Sequence, residues 1–137
     1  MDLNPRVLIV DDEPWIARGL QTFLEDEGMR VKISASAEEA MIRARDGESF
    51  DVCIMDMRLP GMNGDQAIRV LHELQPALQF LIHTGSTDFM ISDDLRAIGV
   101  GDGQLFCKPL LDMSRLSSTV ASLSRLRQGE SEDRGRD

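Results

Sequence analysis

No stretch of this chain approaches the ~20 consecutive apolar residues that a bilayer-spanning helix needs. The N-terminal MDLNPRVLIVDDE has too short an apolar run, and the wrong flanks, for a secretory signal. The expected location is therefore cytoplasmic. Cysteine is nearly absent: Cys53 and Cys107 stand in no CxxC arrangement, fall in expected strands, and read as small core residues of a reducing compartment. Basic residues are in deficit, 15 against 24 acidic ones, and the formal charge of −9 argues against direct binding to nucleic acid. No GxGxxG follows the first strand and no GxxxxGK[ST] occurs, so dinucleotide and P-loop readings fail. What is left is one domain of 137 residues, 42% hydrophobic and 28% charged, with enough chain for a core.

The most informative stretch is VCIMDMRLPGMNG, from Val52 to Gly64. Val52, Cys53, Ile54 and Met55 run without alternation, the pattern of a strand buried on both faces of a sheet. The run stops at Asp56, and Arg58, Pro60, Gly61, Asn63 and Gly64 supply a turn before a helical pattern begins. A carboxylate is thus expected at the tip of a rigid strand. An isolated aspartate in that place would merely open a turn; the residues at the other strand ends decide otherwise.

Arg6 to Val10 is a second unalternating run, ending in Asp11, Asp12 and Glu13. Pro14 suits the first turn of a helix whose stripe is Ile16, Leu20, Phe23 and Leu24 and whose stop is Gly28. Val31 to Ser34 reads as an edge strand, interrupted by Lys32. Ser36 and Glu39 have capping-box spacing, opening a helix with Ala37, Ala40, Met41 and Ala44 inward. A third helix is expected from about Gly64 to Gln75, with Ala67, Ile68, Leu71 and Leu74 inward. Then come a strand from Gln79 to His83 ending in Thr84, a weaker helix from Phe89 to Ile98, and a strand from Leu105 to Cys107 closed by Lys108 and Pro109. Asp112 caps a last helix. The domain is expected over 1–127, with the polar QGESEDRGRD of 128–137 as a disordered tail. Five strand–helix alternations predict an α/β fold, a doubly wound five-stranded parallel sheet with ligands beyond the carboxyl ends of its strands.

Those ends gather Asp11, Asp12, Asp56, the Thr84 hydroxyl and the Lys108 ammonium. Three carboxylates repel one another unless a cation sits among them, and hard oxygen ligands with room for water suit Mg²⁺. A carboxylate beside such a metal can attack phosphorus, while metal, ammonium and hydroxyl stabilise the equatorial oxygens. An aspartate-nucleophile phosphatase would need a second Asp two residues on, where Arg58 stands. His72 and His83 are not spaced with other ligands, and the eight methionines read as gap-fillers.

VDDE at 10–13, MDMRLPGMNG at 55–64, TG at 84–85 and KP at 108–109, each closing its own strand, resemble the receiver domain of bacterial two-component response regulators over residues 5–127. The likeness is to the single-domain, chemotaxis-regulator type. The resemblance implies a flavodoxin-like (βα)5 fold with strand order 2-1-3-4-5. It implies that Asp56 accepts a phosphoryl group from a sensor histidine kinase or histidine phosphotransfer protein. Asp11, Asp12, Asp56 and the backbone carbonyl of Arg58 would hold Mg²⁺. Thr84 and Lys108 would contact the phosphoryl group, and the Lys108–Pro109 bond would be cis. Such a protein is a stoichiometric phosphoacceptor in a phosphorelay, not an enzyme on other substrates. It signals by binding a downstream protein, as a monomer or a phosphorylation-dependent dimer, without touching nucleic acid or membrane. A receiver fold used as a docking module without phosphorylation stays open as the alternative. The chain departs from the family in one place: the aromatic usual three residues before the lysine is Leu105 here. The ring belongs to Phe106, which strand alternation puts on the other face. With strand four between them, Cys53 and Cys107 would lie ~10 Å apart, too far for a disulfide.

Overall fold

The two unalternating apolar runs become neighbours in the middle of a parallel sheet, β1 (Arg6–Val10) beside β3 (Val52–Met55). With β2 (Arg30–Ser34), β4 (Gln79–Thr84) and β5 (Leu105–Cys107), the order is β2-β1-β3-β4-β5 and every pairing is parallel. The computed structural model describes residues 4–86, 89–110 and 112–136, with side chains as far as 128. The fold is thus the doubly wound flavodoxin-like one, and Lys32 lies on an edge strand as its sequence pattern requires.

Because both faces of the sheet are covered, successive strand residues feed two separate cores. Val7, Ile9, Val52, Ile54, Leu81 and Phe106 pack on one face with residues of α1 (Pro14–Asp26) and α5 (Met113–Arg136). Leu8, Val10, Cys53, Met55, Phe80 and Ile82 pack on the other, against α2 (Ala37–Arg45), α3 (Gly64–Leu74) and α4 (Asp93–Ala97). Each fully buried Leu or Ile contributes roughly 1.5–3 kcal/mol relative to exposure, which is what holds the strand ends rigid.

Local chemistry starts and stops the helices largely as the sequence predicts. Pro14 opens α1, and Gly28 follows its end with φ +89°, a left-handed conformation cheap only for glycine. Ser36 Oγ accepts from Glu39 N at 3.1 Å, while the Glu39 carboxylate reaches back to Ala35 N, one residue earlier than a standard capping box. Asn63 caps α3 by accepting from Gln66 N, and Asp112 Oδ1 accepts from Ser114 N and Arg115 N at the start of α5.

Four expectations need correcting. The fourth helix covers five residues rather than 89–98, because Ser92 caps it late, accepting from Leu95 N at 3.2 Å. Residues 89–92 are not helical, and Ile91 is buried there. Leu74, expected inward, lies 37% exposed at the last turn of α3. Cys107 is exposed, unlike the buried Cys53, because β5 is the other edge strand; both thiols are free. The backbone of α5 runs on to Arg136, where a disordered tail is expected from 128; the side chains from 129 onward lie outside the described residues.

Candidate functional site

At the carboxyl ends of the central strands the backbone ladder continues one residue past each strand. Asp56 N donates to Val10 O at 2.9 Å, Asp11 N to Ser34 O at 3.1 Å, and Lys108 N to Thr84 O at 2.8 Å. These bonds bring Asp11, Asp56, Thr84 and Lys108 to one edge of the sheet on backbone that the two cores hold in place. Gly64 tightens the arrangement: a Cβ there would lie 2.8 Å from the Asp56 carbonyl oxygen and 2.6 Å from Met57 Sδ. Only glycine lets the start of α3 come this close to the acidic loop.

Asp11 and Asp56 are held by the same device. Asp56 Oδ1 accepts from Arg58 N at 3.0 Å, and Asp11 Oδ1 accepts from Glu13 N at 2.9 Å. In each, one oxygen is tied to the amide two residues on, and the other faces Lys108. The Lys108 Nζ lies 3.0 Å from Asp11 Oδ2, 3.3 Å from Asp56 Oδ2 and 3.0 Å from Glu13 Oε1. The lysine is 11% exposed, and the side chains of Asp11 and Asp56 are 2% and 4% exposed. The Lys108–Pro109 peptide bond is cis.

One carboxylate oxygen from each of Asp11, Asp12, Glu13 and Asp56 falls within a group whose members all lie within 4.8 Å of one another. Four acids against one ammonium leave an excess of negative charge, and their all-oxygen donor set fits a hard divalent cation that keeps part of its water shell. Burial pushes the Asp11 carboxyl above its ordinary value, and the charge of Asp56 adds to this; the Glu13 amide and Lys108 pull the other way. Burial alone would lower the Lys108 ammonium, but hydrogen bonds to Glu13 and Asp11 and the nearby charges outweigh it and hold the pKa above the ordinary value.

The remaining predicted residues sit around this centre. Asp12 is exposed at the rim of the acidic group. Thr84 is fully buried at the end of β4, and its Oγ1 accepts from Ser86 N at 3.2 Å. Arg58 has an exposed side chain and lines a cavity of about 290 Å³ with Met57, Asn63, Thr84, Ser86 and Phe89. On the other side of Lys108, an apolar groove of about 240 Å³ is lined by Trp15, Ile16, Leu20, Pro109 and Met113, with His83 among them. Trp15 is 72% exposed.

Two residues near this centre escaped the sequence reading. Glu13 passes for a helix start, although the DDE triplet is the signal that a third acid stands beside the pair. His83 passes for a strand-end histidine, yet it is buried, and both its ring nitrogens lack a partner among the described residues. Burial lowers its pKa to about 4, and Lys108 adds to this while Asp56 and Glu13 oppose it.

A family model described as the response regulator receiver domain matches residues 7–121. The response regulator protein PilR of Pseudomonas aeruginosa is 34% identical over 131 residues, covering 93% of this chain and 28% of PilR. The transcriptional regulatory protein YvrH of Bacillus subtilis is 29% identical over 127 residues, covering 93% of this chain and 52% of YvrH. The chain therefore spans about half, or less, of the length of these curated relatives. A CheY-like receiver domain protein from Methanospirillum hungatei superposes with a TM-score of 0.77 at 26% identity, covering 93% of this chain and 98% of that one. The response regulator protein TrrA of Thermotoga maritima, solved in complex with Mg²⁺–BeF, shares the fold with a TM-score of 0.73 at 24% identity, covering 87% of this chain and 98% of that one.

Proposed function

The chain belongs to the response regulator receiver domain family, and from that premise we propose that it is a stoichiometric phosphoacceptor whose accepting group is Asp56. The observation that carries this reading is the placing of Asp56 Oδ2 3.3 Å from the Lys108 ammonium, beside Asp11, in a carboxylate group that fits a divalent cation. In the proposed step an Asp56 oxygen forms a bond to phosphorus as the bond from phosphorus to the donor's imidazole nitrogen breaks. The donor is a sensor histidine kinase or a histidine phosphotransfer protein. Lys108 balances charge on the phosphoryl oxygens, and the Thr84 hydroxyl donates to one of them from the end of β4. Mg²⁺, when held by Asp11, Asp12, Asp56 and the Arg58 carbonyl, supplies electrostatic stabilisation of those same oxygens. Asp56 takes the phosphoryl group once per cycle and is restored by hydrolysis, so the protein is a relay component rather than an enzyme with a separate substrate.

The apolar groove beside Lys108, with Trp15 standing out at its rim, supports a phosphodonor helix docking along α1 and the β5–α5 loop. We take the receiver unit as 1–127, with 128–137 as a polar appendage. Its net charge supports a protein rather than a nucleic acid as the immediate downstream target, reached as a monomer or a phosphorylation-dependent dimer. Among the described residues no helix is long and apolar enough to cross a membrane, and we place the protein in the cytoplasm. The test is incubation with acetyl phosphate and Mg²⁺ followed by intact mass. One added phosphoryl group, lost in Asp56→Asn, is expected. Labelling that survives in Asp56→Asn would sink the assignment, and no labelling in either protein would favour a docking module.

A further inference from the structure

An ammonium has three N–H donors, and in this site three different carboxylates lie within reach of that of Lys108: Asp11, Glu13 and Asp56, at 3.0, 3.0 and 3.3 Å. The three acids do not stand in equivalent places. Asp11 and Asp56 are almost wholly buried, whereas the Glu13 side chain is 41% exposed. One oxygen of Asp11 and one of Asp56 are tied to backbone amides, so a divalent cation entering the acidic group competes with Lys108 for the other two. The lysine has to release them, and a largely buried ammonium left without any carboxylate is strongly disfavoured. Glu13 is the acid that can keep its hold.

We propose that Glu13 is a positioning residue that takes over Lys108 when Asp11 and Asp56 turn to the metal. Glu13 thereby weakens Lys108 as a competitor for the metal's ligands and keeps the ammonium within reach of an incoming phosphoryl group. The inference rests on the phosphoacceptor reading above. It differs from a simple ligand or bulk-charge role for Glu13, because either of those would act on the metal whether or not Lys108 is present. A takeover role disappears when Lys108 is gone.

The experiment is a double-mutant cycle on Mg²⁺ affinity in the full chain, titrated by calorimetry and by the emission of Trp15, the one tryptophan. The four proteins are the native chain, Glu13→Gln, Lys108→Met and the double variant. Glu13→Gln is expected to weaken Mg²⁺ binding in the native background by about fivefold more than in the Lys108→Met background, within the usual span of coupling between contacting groups. An equal loss in both backgrounds, or a larger one without Lys108, overturns the proposal and makes Glu13 a ligand or a bulk charge. If the native chain binds no Mg²⁺ at all, the phosphoacceptor reading falls and this inference with it. Should Lys108→Met not fold, Lys108→Gln closes the same cycle.

Discussion

Lys108 Nζ lies 3.3 Å from Asp56 Oδ2 across 52 residues of sequence. The contact ties the ends of β3 and β5, which are not neighbours in the sheet. It also gives the buried Asp56 carboxylate a counter-charge from the chain itself. The same ammonium serves Asp11 at 3.0 Å from the end of β1. One lysine therefore fastens three strand ends at the site, and its removal has consequences for stability as well as for chemistry.

Lys108→Met leaves two buried carboxylates facing each other, and removing one partner of a buried ion pair costs about 3 kcal/mol or more. A divalent cation can replace the missing charge and restores stability by mass action. Urea unfolding of Lys108→Met should therefore show a large deficit in chelator that shrinks as millimolar Mg²⁺ is added. A deficit indifferent to Mg²⁺ would mean that the acids do not share a cation site.

His83 gives a pH signature of its own. Its pKa is held at about 4 by burial against 6.5 in the ordinary state. Between those values the unfolded chain binds the proton that the folded protein refuses. Stability is thus complete above about pH 6.5 and falls as pH drops toward 4, by roughly 3 kcal/mol over the window. The raised pKa of Asp11 acts in the opposite direction but is common to the native protein and to His83→Leu. The stability difference between the two proteins should accordingly shift by that amount between pH 7 and pH 4. A constant difference across the window would mean that His83 is protonated in the fold.

The sheet and most of the site are legible in the sequence for one physical reason. A parallel strand buried on both faces shows as an unbroken apolar run, and the first charged residue after it marks the strand's carboxyl end. Val10 followed by Asp11, and Met55 followed by Asp56, are read that way. What stays hidden depends on reach across the fold. Glu13 looks like part of a helix start until the Lys108 side chain arrives from another strand. His83 looks like a strand terminus until the fold buries it beside α1 and the loop after β5. The late start of α4 follows from a choice between two plausible beginnings, settled by Ser92, whose hydroxyl both caps the helix and donates to Asp65 Oδ2 at 2.8 Å. Cys107 is exposed because β5 is a three-residue edge strand, and edge position is a property of the assembled sheet.

Phosphoryl lifetime should respond to Arg58. Its N–H fixes Asp56 Oδ1, and its exposed side chain lines the cavity that also reaches Thr84 and Ser86. Its guanidinium is expected to hinder the approach of water to an aspartyl phosphate two residues away. Arg58→Ala removes the cover and leaves the backbone in place. It should shorten the lifetime of the phosphorylated form, followed by decay of the intact-mass signal, with Mg²⁺ affinity nearly unchanged. A lifetime equal to or longer than that of the native protein would refute the shielding role.

The final prediction concerns how the signal leaves the site. Leu105 is half-buried against the α2–α4 core, and Phe106 is buried on the opposite face, with the Arg115 guanidinium 4.4 Å from its ring centroid. No ring therefore stands at position 105 to swing between two positions, and Leu105 is too small to act as a two-position toggle. The neighbouring segment has little regular structure instead, and Ile91, Leu95 and Val100 anchor it in the core. Helix α4 has five residues, with Leu95 as its one buried side chain, and Gly99 follows at φ +101°. Its ties to the rest of the fold include the Ser92–Asp65 hydrogen bond and a 3.8 Å contact of Asp94 with Arg69, while the Arg96–Asp102 ion pair is exposed and confined to the segment itself. The exposed ion pairs contribute little, so the segment is held by those three buried side chains and the Gln104–Phe80 hydrogen bond, and its local opening should cost less than global unfolding. Activation is accordingly expected to order the segment from Thr87 to Gln104, of which residues 87 and 88 lie outside the described residues, while Phe106 stays in place. Amide exchange with and without beryllofluoride decides the matter. New protection across 89–104 on adding the mimic supports an ordering switch, whereas protection already high without it and unaltered by it returns the switch to a rotamer change at the strand end.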